Sequence, residues 1–263
     1  MRTALSIAGS DPTGGAGLQL DLQVFRSQGV HGAAVVTALT VQDTAKVHQV
    51  LPAFPSVVLD QIRVLLRDFV PGAIKLGMLA SDDVARSVAL GLDDLPAEAP
   101  VARVIDPVLA ASDGTPLLER RAWGTLVELI GGSTLATPNL FEAGALAGRD
   151  VSDAAGMEAA ARAWLGELGA AAVLVKGGHR EGPPDDLLAR RGAAGAELTW
   201  LPGERVPGGP VHGTGCALSA AVTARLARGE TLEAAVHAGR AFVVEAIRRA
   251  GSPGHGARIL GLE

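Results

Sequence analysis

The sequence predicts an α/β fold: a mostly parallel central sheet layered between helices on both faces. Three observations predict it. Short apolar runs recur along the chain, stretches of helical length and period alternate with them, and glycine or polar residues stand at nearly every run's end. Strands covered on both faces read as continuous apolar segments, and alternation with helices implies βαβ units.

The elements follow in order. An apolar run over 4–8 predicts the first strand, and a glycine-rich turn leads from it into a helix over 18–28. A second strand is predicted over 33–39 and a helix over 56–69, where Pro55 presets the backbone of the first turn. The strand over 73–77 precedes a helix over 82–92, which Ser81 and two aspartates open. Strands over 103–106 and 134–137 bracket a helix over 120–130, and helices over 141–147 and 154–168 follow, the latter opened by Ser152 and Asp153. A strand over 172–176 leads to a hairpin within 187–201. Beyond a Gly/Pro-rich loop lie two Ala-rich helices, 217–228 and 232–249. No repeat or linker interrupts the pattern, so 1–263 reads as a single domain.

Composition excludes several function classes. With 48% apolar and 19% charged residues, the chain has the balance of a globular core, not of a disordered tail. A net charge of −5 and 3% aromatic residues offer neither an electrostatic nor a stacking platform for nucleic acid. One cysteine excludes an intrachain disulfide and points to a reducing compartment. The apolar run before Asp11 is too short for a signal peptide, and no uncharged stretch is long enough to span a membrane. The expectation is a soluble, cytoplasmic protein without nucleic-acid or membrane partners.

In a parallel sheet, ligands bind beyond the carboxyl ends of the strands. Those positions hold GSDPTGGAG (9–17), Gln42-Asp43, Gly77-Met78, Asp106-Pro107, Asn139 with Glu142, and Lys176-Gly177-Gly178-His179. The first of these is no P-loop, because Gly15 stands where lysine is required, and no dinucleotide fingerprint, because Leu20 replaces the last glycine. It reads either as an anion-facing turn or as a tight packing turn. HGTGC (212–216) opens a helix whose first N–H groups and dipole favour negative charge, such as that on a transferring phosphoryl group. The same field favours the Cys216 thiolate, against the alternative of a small core cysteine. Lys176, one of three lysines, ends an apolar strand and suits a phosphate, or simply snorkels at the strand end. Asn139 and Glu142 have the spacing of a capping box, and Glu142 with Asp106 also suits Mg²⁺ and its waters. His179 and His212 read as structural. A Cys216–His pair would instead indicate a nucleophilic hydrolase.

Seven ordered segments together resemble the ribokinase superfamily and, within it, the hydroxymethylpyrimidine and phosphomethylpyrimidine kinases of thiamine biosynthesis. They are IAGSDPTGGAGLQLDLQVF, TALTVQDT, KLGML, IDPV, TPNLFEA, VLVKGGH and HGTGCALSAA, spanning residue 4 to about 250. The resemblance implies a ribokinase-like three-layer α/β/α fold with ATP and Mg²⁺ as cofactors. It also implies an anion hole of Gly213, Thr214, Gly215 and Cys216, with Cys216 helping to deprotonate the substrate hydroxymethyl group. Lys176 would hold nucleotide phosphate, while Asp106 and Glu142 would organise the metal. Gly9, Asp21, Gln42, Met78 and Val108 would line the pyrimidine pocket. Related kinases are often dimers, so a homodimer is expected. The alternatives are a pyridoxal or pyridoxine kinase and a non-catalytic pyrimidine sensor. Two departures from the family pattern stand out: the loop PGGPV (207–211) before His212, and Asp113, a carboxylate unfavourable to a phosphorylated substrate if it points inward.

Overall fold

The computed structural model describes residues 1–96, 101–178, 180, 182–193 and 195–262. His179 lies outside the described residues. Strand β1 (Thr3–Ser10) leads through the glycine turn into α1 (Gly17–Ser27), and β2 (His31–Gln42) turns back as β3 (Val47–Pro52). Next come α2 (Pro55–Asp68), β4 (Ala73–Leu76), α3 (Asp82–Leu92), β5 (Ala102–Ile105), a 3₁₀ turn at Arg120–Ala122 and α4 (Trp123–Gly131). Then follow β6 (Leu135–Ala136), α5 (Leu140–Ala147), α6 (Ala154–Gly166), β7 (Ala172–Val175) and the hairpin β8 (Asp186–Gly192) and β9 (Gly195–Leu201). The C-terminal part adds β10 (Val211–His212), α7 (Thr214–Ala227), α8 (Leu232–Arg248) and β11 (Arg258–Ile259).

The main sheet has the order β3-β2-β1-β4-β5-β6-β7-β8-β9. The strands from β2 to β7 pair in parallel, and β3, β8 and β9 join antiparallel at the edges. Sequence alternation shows why the central strands are apolar throughout. Leu5, Ile7, Ile74, Leu76, Ile105, Ala136, Val173 and Val175 pack with α2 to α6 on one face. Their neighbours Ala4, Ala73, Val104, Leu135, Ala172 and Leu174 pack with α1, α7 and α8 on the other. Each strand residue thus feeds one of two cores, the outcome of a two-residue side-chain period. The fold is the predicted three-layer α/β/α arrangement.

Two polar residues break the second face. Ser6 and Lys75 are register partners in the centres of β1 and β4, and both are fully buried. Facing them is Asp21 of α1, which accepts from the Lys75 ammonium at 2.7 and 2.8 Å and from the Ser6 hydroxyl at 2.5 Å. The strand order reverses at β1, which places the crevice of a doubly wound sheet at the carboxyl ends of β1 and β4.

Candidate active site

The site is organised by the start of α7. Gly213 is its N-cap, with φ at +80°, and no side chain caps the first turn, so its N–H groups are left to face the crevice. A Cβ on Gly213 would run into the Gly15 carbonyl oxygen and Leu20, so both the backbone conformation and the space demand glycine. Gly215 is needed for a different reason: a Cβ there would stand 3.0 Å from the Lys176 Nζ. The absence of side chains brings the lysine against the helix's positive end.

Lys176 follows β7, held by its N–H to the Pro138 carbonyl at 2.9 Å, and its ammonium donates to Asp106 at 3.1 Å. Asp106 follows β5 and is 2% exposed. Burial works against its charge, but Lys176 and Lys75 outweigh that and hold its carboxyl below the ordinary value. The Ser219 hydroxyl of α7 lies 3.4 Å from Asp106 and closer, at 3.0 Å, to the Cys216 carbonyl. Glu142 completes the capping box of α5: Asn139 Oδ1 accepts from the Glu142 N–H at 2.9 Å, and Glu142 accepts from the Asn139 N–H at 2.8 Å. Burial pushes the Glu142 carboxyl up to about 7; Lys176 opposes the rise and Asp106 adds to it. The structural and electrostatic readings of this residue therefore coexist.

Two carboxylates with their backbone and lysine partners already engaged suit a hydrated Mg²⁺, which keeps most of its waters. They do not form a cage for a direct ligand set, and no group of three or more His, Cys, Asp or Glu able to hold a metal occurs among the described residues.

Cys216 differs from the sequence expectation. Although the start of α7 and Lys75 favour a thiolate, burial and the carboxylates of Asp106 and Asp21 prevail and push the thiol up to about 12. The surroundings thus favour the protonated thiol over the thiolate. Asp21 also differs. Expected in the pocket wall, it is fully buried and bonded to Lys75 and Ser6. Burial disfavours the Lys75 ammonium, but Asp21 outweighs it and raises the lysine's pKa.

Of the remaining predicted residues, Gly9, Met78 and Val108 lie together, and Gln42 lines a cavity that none of those three borders. Gly9 approaches Met78 closely enough that a Cβ would meet its sulfur at 2.9 Å, and Met78, Val108, Ala38 and Ala80 share one small apolar cluster. Gln42, at the tip of β2, lines a cavity of about 480 Å³ with Thr13, Thr44, Pro253 and His255, among others. His212 turns towards Gln42 and Asp11, at 3.1 and 3.0 Å, and not towards Cys216, and no Cys216–His hydrogen bond occurs among the described residues. Asp113 accepts from the N–H groups of Val47 and Thr115 at 3.1 and 2.8 Å, which ties its loop to β3 and favours its charged form, and it lines a small cavity with Gln42 and His212.

Sequence reasoning missed Lys75, Asp11 and the role of His212. A signal for the first existed: Asp21 falls on the buried stripe of α1 with Leu18 and Phe25, and Lys75 sits mid-strand among apolar residues. Two opposite charges at core positions imply a buried pair.

A positive helix end, a lysine and buried carboxylates around it, beside an apolar crevice on a doubly wound sheet, define a small-molecule kinase of the ribokinase-like class. The sequence model of phosphomethylpyrimidine kinase matches residues 11–260. A hydroxymethylpyrimidine/phosphomethylpyrimidine kinase of Rhizobium meliloti is 41% identical over 250 residues, covering 94% of this chain and 91% of that protein. The crystal structure of phosphomethylpyrimidine kinase from Clostridium difficile superposes with a TM-score of 0.81 at 32% identity, covering 94% of this chain and all of that one. The ADP complex of Bacillus subtilis pyridoxal kinase superposes with a TM-score of 0.87 at 31% identity, covering 99% and 96%. The chain belongs to the phosphomethylpyrimidine kinase family.

Proposed function

We propose that this chain, acting as one domain over 1–263, transfers the γ-phosphoryl group of ATP to 4-amino-5-hydroxymethyl-2-methylpyrimidine and then to its monophosphate, in thiamine biosynthesis. The observation that carries the reading is the Lys176–Asp106 pair set against the uncapped start of α7 at Gly213–Cys216. Phosphoryl transfer needs positioning and charge stabilisation more than covalent chemistry. In this reading the N–H groups of Gly213, Thr214, Gly215 and Cys216 take the charge that develops on the transferring group, and Lys176 holds nucleotide phosphate. Asp106 and Glu142 hold the waters of Mg²⁺, which supplies charge neutralisation when bound. Cys216 has to lose its own proton before it can accept that of the substrate hydroxyl. The α7 N-terminus and the Lys75 ammonium are the fixed positive charges that favour this loss.

Gly9, Gln42, Met78 and Val108 contact the pyrimidine, Gln42 through a two-point amide pair with the ring nitrogen and exocyclic amine. Asp21 supports this wall from behind. The second reading, a pyridoxal kinase, rests on the close superposition with the Bacillus subtilis enzyme.

A homodimer fits the exposed apolar residues Leu39, Val41 and Leu51 on the β2–β3 edge beside Phe54, which is 79% exposed. No helix among the described residues is long and apolar enough to cross a membrane. The lone cysteine fits a reducing, cytoplasmic setting. The test is product analysis by mass spectrometry after incubation with Mg-ATP and the pyrimidine alcohol. Sequential appearance of the mono- and diphosphate is expected; absence of the monophosphate contradicts the reading.

A further inference from the structure

The Asp11–His212–Gln42 chain constrains hydrogen positions that heavy atoms alone leave open. The carboxylate of Asp11 already accepts from the Thr13 N–H at 2.9 Å and the Thr13 hydroxyl at 2.8 Å, and its second oxygen lies 3.0 Å from His212 Nε2. An ionised carboxylate only accepts, so His212 Nε2 carries a proton. The same nitrogen lies 3.1 Å from the amide end of Gln42. A protonated Nε2 facing an NH₂ group would set donor against donor, whereas the amide oxygen in that place accepts a share of the same proton. Carboxamide oxygen and nitrogen have nearly the same shape, and their assignment follows from the network. Gly15 leaves room for the ring, since a Cβ there would meet His212 Cδ2 at 2.8 Å, and the hydrogen bonds to Asp11 and Gln42 orient the imidazole. The other amide atom of Gln42 has no protein partner among the described residues and is left for a ligand.

We propose that His212, with its tautomer fixed by Asp11, is a positioning residue that locks the Gln42 amide with oxygen towards the imidazole and NH₂ towards the cavity. This sets the hydrogen-bond polarity by which the site selects a 4-aminopyrimidine. The inference rests on Gln42 contacting the pyrimidine, as in the proposed function. In the locked state Gln42 donates to the ring nitrogen, and the second lone pair of its oxygen accepts from the exocyclic amine. A 4-oxo analogue presents the reverse order, a ring N–H donor and a carbonyl acceptor. A free amide would satisfy either ligand by turning over. A locked one meets the oxo compound with both contacts mismatched, and buried mismatches are what discriminate strongly.

The test compares kcat/KM for 4-amino-5-hydroxymethyl-2-methylpyrimidine with that for its 4-oxo counterpart. The variants are His212→Leu, His212→Gln, Asp11→Asn, Gln42→Ala and the His212→Leu/Gln42→Ala double. His212→Leu and Asp11→Asn are expected to narrow the amino-to-oxo ratio by about tenfold or more, through KM more than kcat. His212→Gln, which returns an N–H near the place of Nε2, is expected to keep most of the ratio. In the Gln42→Ala background, His212→Leu is expected to leave the ratio unchanged. Equal losses on both substrates with an unchanged ratio would overturn the inference, reducing His212 to a structural part. So would a further narrowing of the ratio by His212→Leu in the Gln42→Ala background. No turnover of the aminopyrimidine by the unmodified chain would instead overturn the proposed function, and this inference with it.

Discussion

Replacing Glu142 by glutamine separates its two roles. The amide oxygen can still accept from the Asn139 N–H, so the capping box of α5 survives while the buried charge is removed. In the ligand-free protein the Glu142 carboxyl is pushed up to about 7 from 4.5, so between those pH values the folded chain holds a proton that the unfolded chain has released. Stability conferred by that proton is complete below pH 4.5 and is lost as pH rises to about 7. Across that window the loss amounts to about 3 kcal/mol, at about 1.4 kcal/mol per pH unit. Glu142 is 3% exposed, so solvent does little to screen it. In a chain of this size each kcal/mol moves the melting temperature by roughly 2–4 °C. Thermal melts of the nucleotide-free protein from pH 4.5 to 8.5 should therefore show the two proteins together at the acid end. At pH 8 the Gln variant should melt higher by about 5–10 °C. Parallel curves across the whole range would refute the reasoning, because they would mean that Glu142 stays ionised at no cost beside Asp106.

Three further outcomes follow from the same geometry. Cys216→Ala should lower turnover with a smaller effect on pyrimidine binding, and the native thiol should resist iodoacetamide at pH 8 until the chain is unfolded. Unchanged turnover would remove Cys216 from the chemistry, and rapid alkylation would contradict the raised thiol. Lys176→Met should reduce kcat/KM for ATP by about 10- to 100-fold, the loss of a charged hydrogen bond, with a smaller change in the pyrimidine KM. Asp21→Asn leaves the Lys75 ammonium buried against a neutral partner and should cost about 3–5 kcal/mol in urea unfolding. A loss under 1 kcal/mol would mean that Lys75 finds another partner.

The sequence made the central sheet readable because each inner strand feeds two cores and is therefore apolar at most positions. It failed where that logic stops. Strand β3 is mostly exposed, carries His48 and Gln49, and has no buried face to give it a period. For the same reason β2 runs past the predicted residue 39 to Gln42 along a half-exposed edge. Strands β10 and β11 are two residues each, too short for any periodicity, yet their pairing brings His212 beside Asp11 and Gln42.

Within the site, the glycines at 213 and 215 were legible because turns and close approaches permit few other residues. The state of Cys216 was not. Its local helix end argues for a thiolate, and burial by the tertiary fold, with the long-range approach of Asp106 and Asp21, reverses that. The burial of Asp21 was not legible in the motif, because position along a motif does not say which way a helix faces. The stripe Leu18, Asp21, Phe25 does, and it points into the core.

The most direct measurement is ADP release by the purified chain with Mg-ATP and, in parallel, 4-amino-5-hydroxymethyl-2-methylpyrimidine, pyridoxal or no acceptor. The account predicts a kcat/KM for the pyrimidine well above that for pyridoxal, and ADP release at background without acceptor. Preference for pyridoxal would contradict it and make Gln42 part of a vitamin B6 site. Background release with both acceptors would contradict the kinase reading itself.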